Sequence, residues 1–414
     1  MQKPRGRRLR KTLPFFLLMF FGLTSNGVFA ASVSNNAVPS PWERVQQEAT
    51  GQTVYFNAWG GDERINSYIR WASDELKQQY DIDLKLVKID DTSTVISRLL
   101  SEKSIGRDTE GSVDLVWING ENFRAMKKNG LLSGPFTLEL PSMKYIDPVE
   151  KPTAFVDFGE PVDGMEAPWG MAQLVFMYDS ARVKSPPKSA LDLLAFAKMY
   201  PGRVTYPSPP DFIGTTFLKQ LLTELATHPA VLQKPIKPGQ FSTVTKPLWD
   251  YLDQLHPLLW REGKLFPRNH LSMTPMLDDG EILLSMTFNP LYASAAMEKG
   301  ELAPSVRTYV HKGGVLGNTH FLAIPYNSSA KAAAKVAINF LMSPRAQARK
   351  ADPRVWGDPT VLTMSRLSEQ DRQRFNALAK GQATLTAQQL GSVLPEPHVS
   401  WVEALEKAWV ERYR

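Results

Sequence analysis

The chain has 414 residues, with 48 Lys and Arg against 42 Asp and Glu, and no cysteine. Lacking cysteine, it has no structural disulfide, thiolate metal site or cysteine nucleophile. Residues 1–30 hold six of the cations and no anion, so the remainder carries 42 charges of each sign. A nucleic-acid binder keeps a net basic charge or a basic stripe to neutralise phosphates. Neither is present beyond residue 30, and that class is set aside.

The first element is an export signal. Arg5, Arg7, Arg8, Arg10 and Lys11 precede an apolar run from Leu13 to Leu23, and Val28-Phe29-Ala30 stands before Ala31. A basic start, a short apolar stretch and small residues at a cut site make a cleavable signal, with cleavage expected after Ala30. A membrane anchor needs about 20 apolar residues, whereas Thr24, Ser25 and Asn26 end this run early. No cysteine follows to take a lipid. Residues 31–50 are a polar leader with room for one short helix.

Regular structure begins with a strand at Thr53–Asn57, ending at Trp59-Gly60-Gly61-Asp62. Ile65, Ile69, Ala72 and Leu76 then recur at helical spacing. Ile82–Val87 alternates as a strand, and Asp90-Asp91-Thr92 offers caps to a helix carrying Val95, Ile96, Leu99 and Leu100. Val113–Ile118 is a third strand, followed by Asn119-Gly120-Glu121-Asn122 and a helix with Phe123 and Met126. That helix stops at Asn129-Gly130, where glycine suits a left-handed cap. Strands alternating with helices predict a parallel sheet with helical crossovers.

A second unit follows the same grammar. Strands are expected at Leu174–Tyr178, Ile282–Phe288 and Phe321–Pro325, and Pro201-Gly202-Arg203 leads into Val204-Thr205-Tyr206. Helices are expected at Leu191–Tyr200, around Phe217, Leu221, Leu222 and Leu225, and from Ala333 to Leu341. The fold class is therefore α/β, with two units joined by extended crossings.

Catalytic motifs are missing. The six histidines show no metal-ligand spacing, and there is no G-x-S-x-G elbow, H-E-x-x-H motif or phosphate-cradling loop. No cofactor and no metal are expected, and the chain is not read as an enzyme. An exported hydrolase or transferase on a similar frame is the competing class, because a carboxylate pair cannot be recognised from spacing alone.

Several stretches together resemble a known family: Val54–Trp59, Ser112–Gly120 with Gly130-Leu131-Leu132, Trp169–Asp179, and Ala323-Ile324-Pro325 with Asn339–Pro344 and Gln347. These are similar to the periplasmic solute-binding components of ABC importers, the extracellular solute-binding family 1. That group includes thiamine, spermidine/putrescine and ferric-ion binders. Pro201-Gly202-Arg203 and Pro210–Gly214 resemble the YnjB-type branch most. The resemblance implies a type II, two-lobed fold closing like a flytrap about a hinge, each lobe a mostly parallel sheet flanked by helices. It implies residues 51–172 plus 316–350 in the first lobe and 173–315 plus 351–414 in the second. A monomer in the periplasm, serving an inner-membrane permease and its ATPase, is the implied setting. A sensing role beside a membrane receptor would use the same cleft.

Ligands of open α/β sheets gather beyond the carboxyl ends of strands. That rule selects Trp59, Gly60, Gly61 and Asp62, where glycines admit backbone contact, Trp59 offers a ring face and Asp62 a negative charge. The plain alternative is a tight turn with Asp62 as a helix cap. Asn119, Gly120 and Glu121 have the same placement, and the same alternative of capping. In the second unit Gly214, Thr215 and Thr216 would present amides and hydroxyls at a helix start, with Asp211 as ligand or cap. Asn289 and Tyr292 follow a strand end. Trp169 would wall the cleft near the crossing, or lie in the core. Ferric-binding relatives use paired tyrosines, and Tyr292 stands alone. Aromatic residues with Asp62 and Glu121 lean towards a small organic cation, thiamine-like or polyamine-like.

Overall fold

The computed structural model describes residues 39–414 except 379, 380 and 392. The expected signal, its cleavage site and most of the leader lie outside the described residues. What remains of the leader forms α1 (Pro41–Ala49), started by a reciprocal cap between Ser40 and Glu43 with Pro41 in the first turn.

The first unit runs β1 (Thr53–Trp59), α2 (Glu63–Tyr80), β2 (Asp83–Ile89), α3 (Ser93–Ser104), β3 (Leu115–Ile118) and α4 (Gly120–Lys128). The stripe Ile65, Ile69, Ala72 and Leu76 is buried on α2, as its spacing requires. A hairpin of β4 (Val156–Asp157) and β5 (Glu160–Pro161) leads to β6 (Glu166–Gln173) and β7 (Val175–Asp179). The second unit continues with α5 (Ala190–Met199), α6 (Phe212–Leu225), α7 (Gln240–Leu255), α8 (His270–Asp278), β8 (Leu284–Thr287), α9 (Tyr292–Glu298) and β9 (Val306–Tyr309). The chain returns through β10 (Val315–Ala323) to α10 (Lys331–Leu341), α11 (Pro344–Ala351) and α12 (Glu369–Asn376). It finishes with α13 (Ala387–Leu390), β11 (Val393–Leu394) and α14 (Val399–Tyr413).

Two sheets organise these elements. In the first, the order is β11-β10-β3-β1-β2, with β6 on the other side of β10. Strands β1, β2 and β3 are parallel, and β10 runs antiparallel to β3 and β6. The second sheet, β8-β7-β9, is antiparallel throughout rather than mostly parallel. Its strands are buried on both faces, so their residues read alike in either direction, and only the path of the chain sets polarity. Residues 204–206 belong to no strand, although the Val204 and Arg203 carbonyls accept from the Trp260 and Leu283 amides.

Apolar side chains fill both faces of each sheet. Val54, Phe56 and Ala58 join Leu322 and Ile324 in one core, while Val116, Ile118, Phe321 and Ala323 face another. Leu174, Phe176, Leu284 and Met286 pack with α5, α6, α7 and α14, and Met177 turns to α8 and α9. Residues 351–414, expected with the second lobe, divide. Trp356, Val361, Leu362 and Leu367 enter the first core, and Trp401, Leu405 and Trp409 enter the second.

The polypeptide crosses between cores three times, and the first two crossings lie side by side. Strand β6 places Ala167 and Trp169 in the first core before β7 places Leu174 in the second. Strand β10 goes from Val315 and Leu316 in the second core to Leu322 in the first. The two pair antiparallel from Gly317↔Gln173 to Ala323↔Glu166. At Gly317 a Cβ would lie 2.6 Å from Val393 Cγ1 and 3.0 Å from the Ala172 carbonyl, so the crossing strands approach too closely for any other residue.

Candidate functional site

Strands β1 and β3 end where the two lobes meet. Trp59 closes β1, half-buried, and the glycines after it serve packing. A Cβ on Gly60 would fall 2.6 Å from Lys88 Cβ, and one on Gly61 2.4 Å from the Trp59 ring. Asp62 caps α2, accepting from the Arg64 amide at 2.8 Å, and its carboxylate also grips the Arg64 guanidinium at 2.7 Å. Arg64 is buried, and its guanidinium lies over the Tyr292 ring of the other lobe, 4.5 Å from the centroid. The Tyr292 hydroxyl pairs with Thr274 at 2.7 Å, and His270 packs edge-on against the same ring. Burial pushes His270 down to about 4, so it is neutral at ordinary pH. Asp62 and Tyr292 are thus joined across the lobes through Arg64.

Asn119 precedes α4 without a capping bond from its side chain. Instead the Gly120 amide, at φ 58°, donates to buried Asp157 Oδ2 at 2.5 Å. Glu121 follows, and burial raises its carboxyl above the usual range. Asp157 is fully enclosed and is raised well above its ordinary value for the same reason.

On the second lobe Asp211 caps α6 through the amides of Ile213 and Gly214. Burial lifts it to about 6. Gly214 lies against the Pro207 carbonyl, 2.0 Å from where a Cβ would stand. Thr215 donates its hydroxyl to Glu406 on α14 at 2.7 Å, and Thr216 is buried with its hydroxyl unbonded. Asn289 Oδ1 accepts from the Leu291 amide at 2.9 Å, a turn-stabilising bond at the start of α9. Trp169 does not wall the cleft. It is fully buried among Phe56, Tyr68, Trp117, Trp356 and His320, and its carbonyl accepts from Gln347.

One turn beyond Thr215, Lys219 is the centre of a charged cluster that spacing did not reveal. Its ammonium is 2.7 Å from Glu396, 4.7 Å from the Phe158 ring centroid and 5.6 Å from that of Phe212. Phe158 comes from the β4–β5 hairpin, so this contact also spans the lobes. Asn318, on the crossing strand β10, donates to the other Glu396 oxygen at 3.1 Å. Burial pushes Glu406 up to about 7, an effect that Glu121 and Asp91 reinforce and Lys219 opposes. Glu121 and Asp157 feel Lys219 too. Glu396 meets the ammonium directly, and Glu121, Asp157 and Glu406 lie near enough to feel its charge. A signal was available in the sequence: Lys219 interrupts the apolar run Phe217, Leu218, Leu221 and Leu222, and a charge on a buried helix face needs a partner. Nothing local named that partner as Glu396.

Among the described residues no three His, Asp or Glu side chains are placed to hold a metal. The family model for bacterial extracellular solute-binding proteins matches residues 71–376. Protein YnjB of Escherichia coli (strain K12) is 47% identical over 377 residues, covering 90% of this chain and 94% of that protein. The chain belongs to the bacterial extracellular solute-binding proteins.

Solved structures agree on the fold of this family. The Tp0655 (TpPotD) lipoprotein of Treponema pallidum superposes with a TM-score of 0.64 at 15% identity, over 87% of this chain and 99% of that one. The periplasmic binding protein AfuA from Actinobacillus pleuropneumoniae, solved with fructose-6-phosphate, gives 0.60 at 14% identity, over 87% and 98%. The fold is that of the two-lobed periplasmic binding proteins, and the lobes meet along the two clusters built on Arg64 and Lys219.

Proposed function

We propose that this chain is the periplasmic solute-binding component of an ABC importer, and that it captures a small organic cation between its lobes. The supporting observation is the excess of buried carboxylates around Lys219: Glu396 takes its ammonium at 2.7 Å, and Glu121, Asp157 and Glu406 are enclosed nearby with no ion-pair partner among the described residues. Buried carboxylates without counter-charge must bind a proton or a cation, and a cationic solute supplies the missing charge. Tyr292 argues against a ferric cargo, because its hydroxyl is 4% exposed with its residue and already bonded to Thr274.

In this reading the chain is exported, cut after Ala30, and diffuses as a monomer to an inner-membrane permease and its ATPase. It performs no catalysis. The two paired crossings, β6–β7 and β10, act as the hinge. Calorimetry and thermal-shift screening of the chain from Ala31 test the proposal, with thiamine and linear amines against organic anions and sugars. A cation is expected to bind once per chain without turnover, and scattering is expected to report closure. Binding of anions or sugars alone would sink the cation reading.

A further inference from the structure

Lys219 is 1% exposed at its side chain and Glu396 2%. An unpaired buried ammonium is costly, and even a paired one is often no better than an apolar residue of the same volume. A leucine on this face of α6 would join Leu218, Leu221 and Leu222 without that cost. Lys219 instead sits in what an amine-binding protein would build for a ligand: two aromatic faces within cation–π range and a carboxylate at ion-pair distance. One of those faces, Phe158, belongs to the opposite lobe, so the box is complete only with the lobes together.

We propose that Lys219 is a specificity-determining residue of the cleft. Its ammonium fills an amine box formed by Phe158, Phe212 and Glu396, and it supplies one positive charge that the solute would otherwise have to bring. This rests on the cation reading above. In the wild-type chain the box is closed to a solute ammonium, and the carboxylates left to the solute are Glu121 and Glu406. With Lys219 replaced by an apolar residue of similar length, the box is vacant and Glu396 joins the carboxylates needing a partner. The cleft then favours a solute with one more positive charge.

The experiment measures the affinities of n-butylamine, 1,4-diaminobutane and spermidine by calorimetry, for the wild-type chain and for Lys219→Met. The ratio of affinities between successive amines is expected to move about tenfold or more towards the more highly charged one, the scale of one charge-assisted hydrogen bond. Adding Glu396→Gln to Lys219→Met removes the orphaned charge and is expected to return the order to that of the wild type. Glu396→Gln alone keeps Lys219 with its charge uncompensated, so it is expected to shift the order the opposite way. That variant decides the matter should Lys219→Met fail to fold, as judged by circular dichroism and melting. Amine binding with the same order in wild type and in every folded variant overturns the role of Lys219 and leaves the cation reading standing. If no amine binds the wild-type chain, both fall together.

Discussion

Replacing Glu406 by glutamine isolates one carboxyl of the cleft. Its folded-state value of about 7 lies above the ordinary 4.5 because burial penalises the charged form. Between those values the folded chain holds a proton that the unfolded chain releases. The carboxyl therefore stabilises the fold at acid pH, and that stability is lost as pH rises through 7. Linkage puts the contribution at about 2.5 kcal/mol at pH 5 and near zero at pH 8. Glutamine can still accept the Thr215 hydroxyl, so packing is preserved while titration is removed. Urea unfolding of the ligand-free chain at both pH values is the assay. The wild type is expected to lose about 2.5 kcal/mol more than Glu406→Gln on going from pH 5 to pH 8. Asp211, also raised, acts in the same direction but is present in both proteins and cancels in the difference. An equal loss in the two proteins would refute the assignment of a raised proton affinity to Glu406.

Trp169→Ala is expected to cost about 3–5 kcal/mol of stability, the usual result of emptying a large aromatic site in a core, with solute affinity little changed once the variant is folded. A chain of normal stability that had lost its affinity, measured by melting and calorimetry together, would instead put Trp169 in the cleft. At the Arg64 cluster, Tyr292→Phe removes the hydroxyl bond to Thr274 and should cost about 1 kcal/mol. Arg64→Met leaves Asp62 without its partner and should cost about 2–3 kcal/mol. Thermal melts of the two variants give the order, and a reversed order would remove Arg64 as the bridge between Asp62 and Tyr292.

The first lobe was legible because its signals are local. The α2 stripe, the alternation in β2 and the Gly130 cap each depend on residues a few positions apart, and each formed where expected. The polarity of the second sheet was not legible, since continuous apolar strands such as Val175–Tyr178 carry no direction. The C-terminal segment was misplaced for a related reason. Trp356 stands in a turn and Trp401 in the first turn of α14, and nothing nearby in the sequence says which core each enters. At the site, Asp62 and Glu121 were visible as polar residues after strand ends. Arg64, Asp157, Lys219, Glu396 and Glu406 were not, because their partners lie on other elements.

Charge arithmetic on the sequence showed a balanced chain beyond residue 30, and a balanced total says nothing about distribution. The fold separates the charges. Most surface pairs, such as Arg366 with Asp147 or Arg412 with Asp253, are exposed and solvated, and they contribute little. In the cleft, Glu121 comes from the start of α4, Asp157 from a hairpin, Glu396 from the approach to α14 and Glu406 from α14 itself. Each is one carboxylate among many until the fold gathers them near Lys219, which Glu396 meets directly. Burial then makes the excess of negative charge expensive, which isolated surface acids never are. An open cleft can hydrate these groups, whereas a closed one must neutralise them. On the proposed reading, cation capture and lobe closure are coupled by the same desolvation, and a solute that brings no positive charge gives the closed state no such advantage.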